Sequence, residues 1–527
     1  MASKLVLVYV DSLRTDMLQA AVAEGRAPTF GRLIKRGRLI EDCVAPFPSV
    51  TPVASAEMVT GVRSDRHWIS GMNWYHRVER RYVEYGSSIE AGRAFGLLRS
   101  LTDLVYNMNL AHLSPEVETV FETLDDRGVR TASTPFLIYR GRHRHEVSLS
   151  GLSGRVVEAG LLKFHYGTWG PRELFYGELY SSMEVPCVPS SIPGRRDPYS
   201  ACCAAEMVSR DRFDFMLLSF PDNDNYSHRF GPRASVDSIE RADLSMAEVI
   251  RAGGGLDGFL ADHAVILLAD HAHSDVTAAL DLIGSLDAEW DVLRPSEDRT
   301  ETAELAVSPT SRAANVYLLR GGREPGRHLA VRQRIAATEG VELVIWLETP
   351  DGEPVVRVSP GHEGDAVMAV VVERDGRRFE FGPVDRLPSD WGEKVGDRRG
   401  GRWRVRGDIG LLEGSVEDGL FESPVYPDAL GRLHSAMLAP HSGDIMVSAA
   451  PGYECLDWGG SAHVGGGSHG SLRREDSAGP LLFVGCGPAV EPESDDGRQW
   501  AVGDVSPVIR EFFQPAAEPV AQASAGT

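Results

Sequence analysis

Apolar residues gather in short unbroken runs, and a carboxylate or histidine stands at the end of several of them. Leu5 to Val10 (LVLVYV) runs straight into Asp11. Phe215 to Phe220 (FMLLSF) runs into PDNDNYSHRFGP, which holds Asp224 and, four residues on, His228. Ala264 to Ala269 (AVILLA) runs into Asp270 and His271. GGGSHGS, with His469, comes just before PLLFVG, Pro480 to Gly485. Runs of this length without alternation predict strands buried on both faces, as in a parallel sheet. Open α/β sheets bind ligands just beyond the carboxyl ends of such strands. Three carboxylates and three histidines on one sheet edge suit a pair of zinc-like ions. The pattern predicts a hydrolase built on two metals.

The rhythm of strand, ligand and helix divides the chain. Residues 1–75 read as the first part of a catalytic core, 211–300 as its second part and 425–513 as its last. Between them, 76–210 reads as an insertion covering the pocket, with aromatic and basic clusters. Residues 301–424 read as an accessory αβ cap subdomain, its last stretch, Asp385 to Pro424, a loop rich in Gly, Arg and Asp. GDIMVSAAPG, Gly443 to Gly452, is placed in the core. The tail, 514–527, lacks an amphipathic period and is expected to be disordered. No internal repeat is found.

Length and charge narrow the partners. A chain of 527 residues can bury a large core. A net charge of −22 argues against nucleic-acid polymers and anionic membranes. It leaves room for a small anionic substrate, since bound cations would dominate the local field. The apolar N-terminal stretch is too short to span a membrane, and no small-residue cleavage site follows it. The chain therefore reads as cytoplasmic and bacterial. The six cysteines show no CxxC pair and are expected to be reduced thiols, mostly buried.

Thr51 lies in FPSVTPVASAEMVTG, ahead of Pro52 and a helical stretch, which puts it at or next to a helix N-cap. A threonine there is ordinarily a cap. Beside two metals, the same hydroxyl is placed to attack phosphorus, with the helix N-terminus favouring a phosphate.

Asp11, FPSVT, VTG, the Asp224–His228 spacing followed by GP, Asp270–His271 and the late His469 together resemble the alkaline phosphatase superfamily. Within it they are most similar to the nucleotide pyrophosphatase/phosphodiesterase branch. The resemblance implies an alkaline-phosphatase-like α/β fold, a central mostly parallel sheet flanked by helices with inserted cap segments. It implies one ion, Zn2+ or else Mn2+, held by Asp224, His228 and His469. A second would be held by Asp11, Asp270 and His271 with Thr51 as a further ligand and the nucleophile. A phosphothreonine would form and be hydrolysed. Asn73, Trp74 and Tyr75 match a place where related phosphodiesterases form the substrate pocket; packing beneath the insertion is the competing reading.

Several residues compete for these roles. Asp222 competes with Asp224, and the four-residue spacing to His228 favours Asp224. His273, in DHAHSD, reads as a supporting or surface histidine, and His463 as a weaker rival of His469. The asparagine that usually follows the nucleophile is missing, so backbone N–H groups, Ser55 or Asn73 would hold the phosphate oxygen. Ser12 stands where a glycine often follows the first aspartate. The expected substrate is a small phosphorylated molecule, cleaved at a diester or pyrophosphate bond. The alternatives are a phosphomonoesterase or phosphonate hydrolase on the same metals, and a non-catalytic metal-binding protein. Oligomeric state is left open.

Overall fold

The computed structural model describes residues 2–146, 167–297, 299–319, 324, 326–357, 367–487 and 497–514. The elements that carry the site are β1 (Lys4–Val10), β2 (Arg38–Val44), α1 (Thr51–Thr60), β3 (Thr131–Ser133), β4 (Glu173–Tyr176), β5 (Tyr180–Ser181), α2 (Arg196–Ser209), β6 (Phe215–Phe220), α3 (Asp222–Phe230), α4 (Val236–Ala252), β7 (His263–Leu268) and β8 (Ala478–Val484).

The strands form an eight-stranded sheet in the order β2-β8-β7-β1-β6-β3-β4-β5. The central pairings of β7, β1, β6, β3 and β4 are all parallel. Only β8 and β5 run the other way. β1, β6 and β7 are mostly apolar, and buried along their length apart from Lys4, because both faces are covered. Val6, Val8 and Val10 pack with α2 and α4 on one side. Leu5, Leu7 and Tyr9 pack on the other with α1 and a C-terminal helix, Val505–Phe512. Burying each such Val or Leu stabilises the fold by about 1.5–3 kcal/mol. This is the expected mixed α/β fold.

A second sheet of ten strands, nearly all antiparallel, spans Leu305 to Ala449. It shifts two expected boundaries. Ile445–Ala449, placed in the core from sequence, pairs with Ala313–Leu318 and Val341–Glu348 and belongs to this accessory sheet. Asp385 to Pro424, read as loop, supplies strands Glu393–Gly396, Arg402–Gly407, Ser415–Glu417 and Leu420–Glu422. In RWRVRG the apolar Trp403 and Val405 alternate with arginines, which hid the strand, and Arg404 between them is buried as well. The segment 76–210 is likewise more than an insertion, since β3, β4 and β5 come from it and complete one edge of the main sheet. The expected disordered tail lies, beyond Gln514, outside the described residues.

The cysteine expectation is also corrected. Cys187 and Cys202 form a disulfide, their Cα atoms 5.7 Å apart, which pins the approach to α2 onto α2 itself. The partners are 15 residues apart in sequence, and only the fold of the chain before α2 brings them together. Cys43, Cys203, Cys455 and Cys486 are free. Among the described residues no helix is long and apolar enough to cross a membrane.

Candidate metal centre and active site

Strand register sets the site. Val10 lies opposite Phe220, and Tyr9 opposite Leu268. The next residues, Asp11, the first turn of α3, and Asp270 with His271, therefore leave the sheet at one level. Asp224 and His228 sit one helical turn apart on α3, with Oδ1 and Nε2 3.4 Å apart. His469 arrives from the loop after Gly467–Ser468, a short strand paired with Ser274–Leu280.

Two donor groups result, Asp11 with Asp270 and His271, and Asp224 with His228, His273 and His469. Within each, the possible ligand atoms lie within 4.8 Å of one another. The groups abut, with the rings of His271 and His469 stacked 3.8 Å apart. Every carboxylate and imidazole expected at the site is thus brought into it. Thr51 is the first residue of α1, whose N-cap is Val50, so its hydroxyl is not used in capping. Its Oγ1 lies 3.2 Å from His271 Nε2. Thr51, Asp224 and His228 remain partly exposed while the other donors are buried, so the centre opens to solvent on their side.

The supporting contacts orient the donors. His228 Nδ1 is 2.8 Å from the Gly467 carbonyl, and His469 Nδ1 is 2.7 Å from that of Ser49. A carbonyl only accepts, so each Nδ1 carries the proton and Nε2 keeps its lone pair for a cation. Asp270 accepts from the Tyr9 hydroxyl at 3.1 Å and from the backbone N–H groups of Ser12 and His271. Asn223 donates to the Asp11 carbonyl.

Burial, with Asp270 and Asp224 nearby, holds the Asp11 carboxyl well above its usual range. Burial acts the same way on Asp224, but His228 and His273 overcome it and hold that carboxyl well below. Burial, reinforced by His271 and His273, keeps His469 well below the usual imidazole range. His273 is pushed down to about 3, by burial and then by His228. Burial pulls His228 down, but Asp224 overcomes it and holds that imidazole above its usual range. Imidazoles crowded with buried carboxylates form a donor set that divalent cations fit.

Other expectations meet different outcomes. Asp222 is a hydrogen-bonding residue, accepting from Arg196 Nε at 2.8 Å and from the backbone N–H groups of Gly194, Arg196 and Asp197. His273 is no surface residue, since it is fully buried with Nε2 3.1 Å from Asp224 Oδ1. His463 stands outside both donor groups, stacked on His228 and bonded to Glu454. For Asn73, Trp74 and Tyr75 the pocket reading gives way to the competing packed one: they are 2%, 0% and 3% exposed. Trp74 packs against His441, and Asn73 donates to the Pro309 carbonyl, so the segment locks the core to the accessory sheet. Ser55 is wholly buried one turn into α1 and cannot reach an open pocket. Sequence reasoning missed Tyr9 and Arg196, and marked Ser12 only as a departure from glycine, with no role. Tyr9 could have been flagged as the one hydroxyl in an apolar run that ends at Asp11.

The sequence model of "Type I phosphodiesterase / nucleotide pyrophosphatase" matches residues 5–472. The chain belongs to this family. The family falls in the alkaline phosphatase superfamily, typically dependent on divalent metals. No curated protein matches the chain. Human ectonucleotide pyrophosphatase/phosphodiesterase 5 superposes with a TM-score of 0.55 at 13% identity, over 98% of this chain and 96% of that one. Its murine counterpart, as an inactive threonine-to-alanine variant in complex with AMP, gives 0.52 at 12% identity, over 98% and 96%. Phosphonoacetate hydrolase from Sinorhizobium meliloti 1021 with phosphonoformate gives 0.51 at 15% identity, over 97% and 94%. At these identities the likeness concerns the fold, which is alkaline-phosphatase-like.

Proposed function

We propose that this family member hydrolyses phosphodiester or pyrophosphate bonds of small molecules such as nucleotides, through a phosphothreonine at Thr51. The observation that carries the reading is the position of Thr51, partly exposed at the head of a buried helix, its hydroxyl 3.2 Å from His271 Nε2 beside both donor groups. Asp224, His228 and His469, supported by His273, would hold one divalent ion, and Asp11, Asp270 and His271 with Thr51 the other. Zinc suits the donors best, with manganese the alternative. Such ions would acidify the Thr51 hydroxyl and stabilise charge on the attacking and departing oxygens. Thr51 Oγ1 attacks phosphorus in line, its proton passes to solvent, and the bond to the leaving oxygen breaks with its electron pair. Water then attacks phosphorus, the bond to Oγ1 breaks, and Thr51 regains a proton. The inactive threonine variant of the murine protein, captured with AMP, supports this assignment.

Diester specificity rests on the family and on the arginines. No arginine falls in the ten residues after Thr51, and Arg63 is committed to Asp428. A local fork for a dianionic monoester is therefore lacking. The test compares kcat/KM for bis-p-nitrophenyl phosphate, p-nitrophenyl phosphate and phosphonoacetate. The diester is expected to be fastest. A monoester preference of about tenfold or more rejects the diesterase reading. Turnover of phosphonoacetate alone would favour the phosphonate hydrolase reading, which the Sinorhizobium meliloti structure makes the second choice.

A further inference from the structure

Ser12 occupies a backbone conformation that favours glycine, with φ at 57°. It is 2% exposed, and its hydroxyl reaches both donor groups. Oγ lies 2.9 Å from Asp224 Oδ1 and 2.9 Å from His273 Nε2. It also lies 3.4 Å from His271 Nδ1 and 3.4 Å from Asp11 Oδ1.

A hydroxyl has one proton and two lone pairs. The proton goes to the nearer carboxylate, Asp224. The lone pairs then accept from His273 Nε2–H and His271 Nδ1–H. A cation that takes the Nε2 lone pair would leave the His271 proton on Nδ1, facing Ser12; Nε2 lies 3.2 Å from Thr51 Oγ1 and 3.1 Å from Asp270 Oδ2, the neighbours that ion would share. His228 and His469 have the same arrangement, but each relies on a backbone carbonyl. For His271 the partner is a side chain, and that side chain also holds a donor of the other group.

We propose that Ser12 is a positioning residue shared by the two ion sites, orienting His271 in one and Asp224 in the other, so that one hydroxyl tunes the affinity of both. The proposal rests on the two-ion reading above. The left-handed φ makes glycine the unstrained alternative at this position, which the hydroxyl contacts weigh against.

Ser12→Gly separates these effects, since it relaxes the backbone and deletes the hydroxyl; Ser12→Ala deletes the hydroxyl alone. Each metal-free protein is titrated with zinc against a competing chelator, and the metal-free melting temperature is recorded. The expected result is a fall of about tenfold or more in zinc affinity at both sites in both variants. The metal-free Ser12→Gly protein should melt no lower than wild type. Affinity lost at neither site, or at only one, overturns the proposal. A fall in Ser12→Gly affinity with an equally large fall in metal-free stability overturns it as well, since that marks general damage. A wild-type chain that takes up fewer than two zinc ions instead overturns the two-ion reading, a result visible before any variant is made.

Discussion

A threonine hydroxyl is a weak nucleophile unless its surroundings activate it; in the proposed mechanism a cation shared with His271, whose Nε2 lies 3.2 Å from Thr51 Oγ1, would do so. Thr51→Ala is expected to lower turnover by about three orders of magnitude or more. Its metal content should stay near wild type, because the carboxylates and imidazoles remain. Elemental analysis beside a diester assay checks both halves. The neighbouring acids on α3 should behave in opposite ways. Asp224→Ala should lose metal from one site. Asp222→Ala should keep it, because Asp222 is occupied with Arg196 and the turn before α2. The reverse result would reassign the carboxylate.

At the scale of the element, α1 carries a titratable group as well as Thr51. Glu57 is 4% exposed, and burial pushes its carboxyl up to about 7 despite Arg63 and Arg399. Its pKa is raised on folding, so the folded chain holds a proton that the unfolded chain has released. Its contribution is full below the unfolded value of about 4.3, falls as pH rises, and is gone above about 7. A rise of that size corresponds to on the order of 3 kcal/mol. Glu57→Gln should therefore flatten the pH dependence of stability between about pH 5 and 8 and be the more stable protein at pH 8. Urea denaturation of both proteins at the two ends of that range measures it. Equal slopes would show that Glu57 is ionised in the folded chain.

Across the whole molecule the donors come from β1, α3, the end of β7 and the His469 loop, so bound ions would join distant parts of the chain. A ligand that binds only the folded state stabilises it by about 2.7 kcal/mol at a hundred times its Kd. Chelation should lower the melting temperature, and added zinc should restore it in a concentration-dependent way. An unchanged melting temperature would mean that the donor groups do not bind ions tightly. The accessory sheet takes part in the same construction, because the Arg312 N–H donates to the His469 carbonyl at 2.8 Å and fixes that loop. The Cys187–Cys202 bridge sits on the approach to Arg196, and disulfides of this kind persist in oxidising compartments.

Much of the site was legible along the chain because its logic is local. Continuous apolar runs demand burial on both faces, and a carboxylate directly after such a run must emerge at the sheet edge; this placed Asp11, Asp270 and His271. The helical spacing of Asp224 and His228 needed only one turn of α3. The accessory sheet was not legible in full, since strands such as RWRVRG look charged until a partner buries one face, and Ile445–Ala449 could pair in either sheet. Trp74 reads equally as a pocket wall or as core, and its packing on His441, 367 residues away, decided for core. Ser12 shows the same division: the sequence determined that a serine replaces a glycine, while the convergence of three chain segments decided that its hydroxyl lies between two donor groups. Strand burial and helical spacing follow from neighbours a few residues apart, whereas contacts across hundreds of residues exist only once the chain has folded.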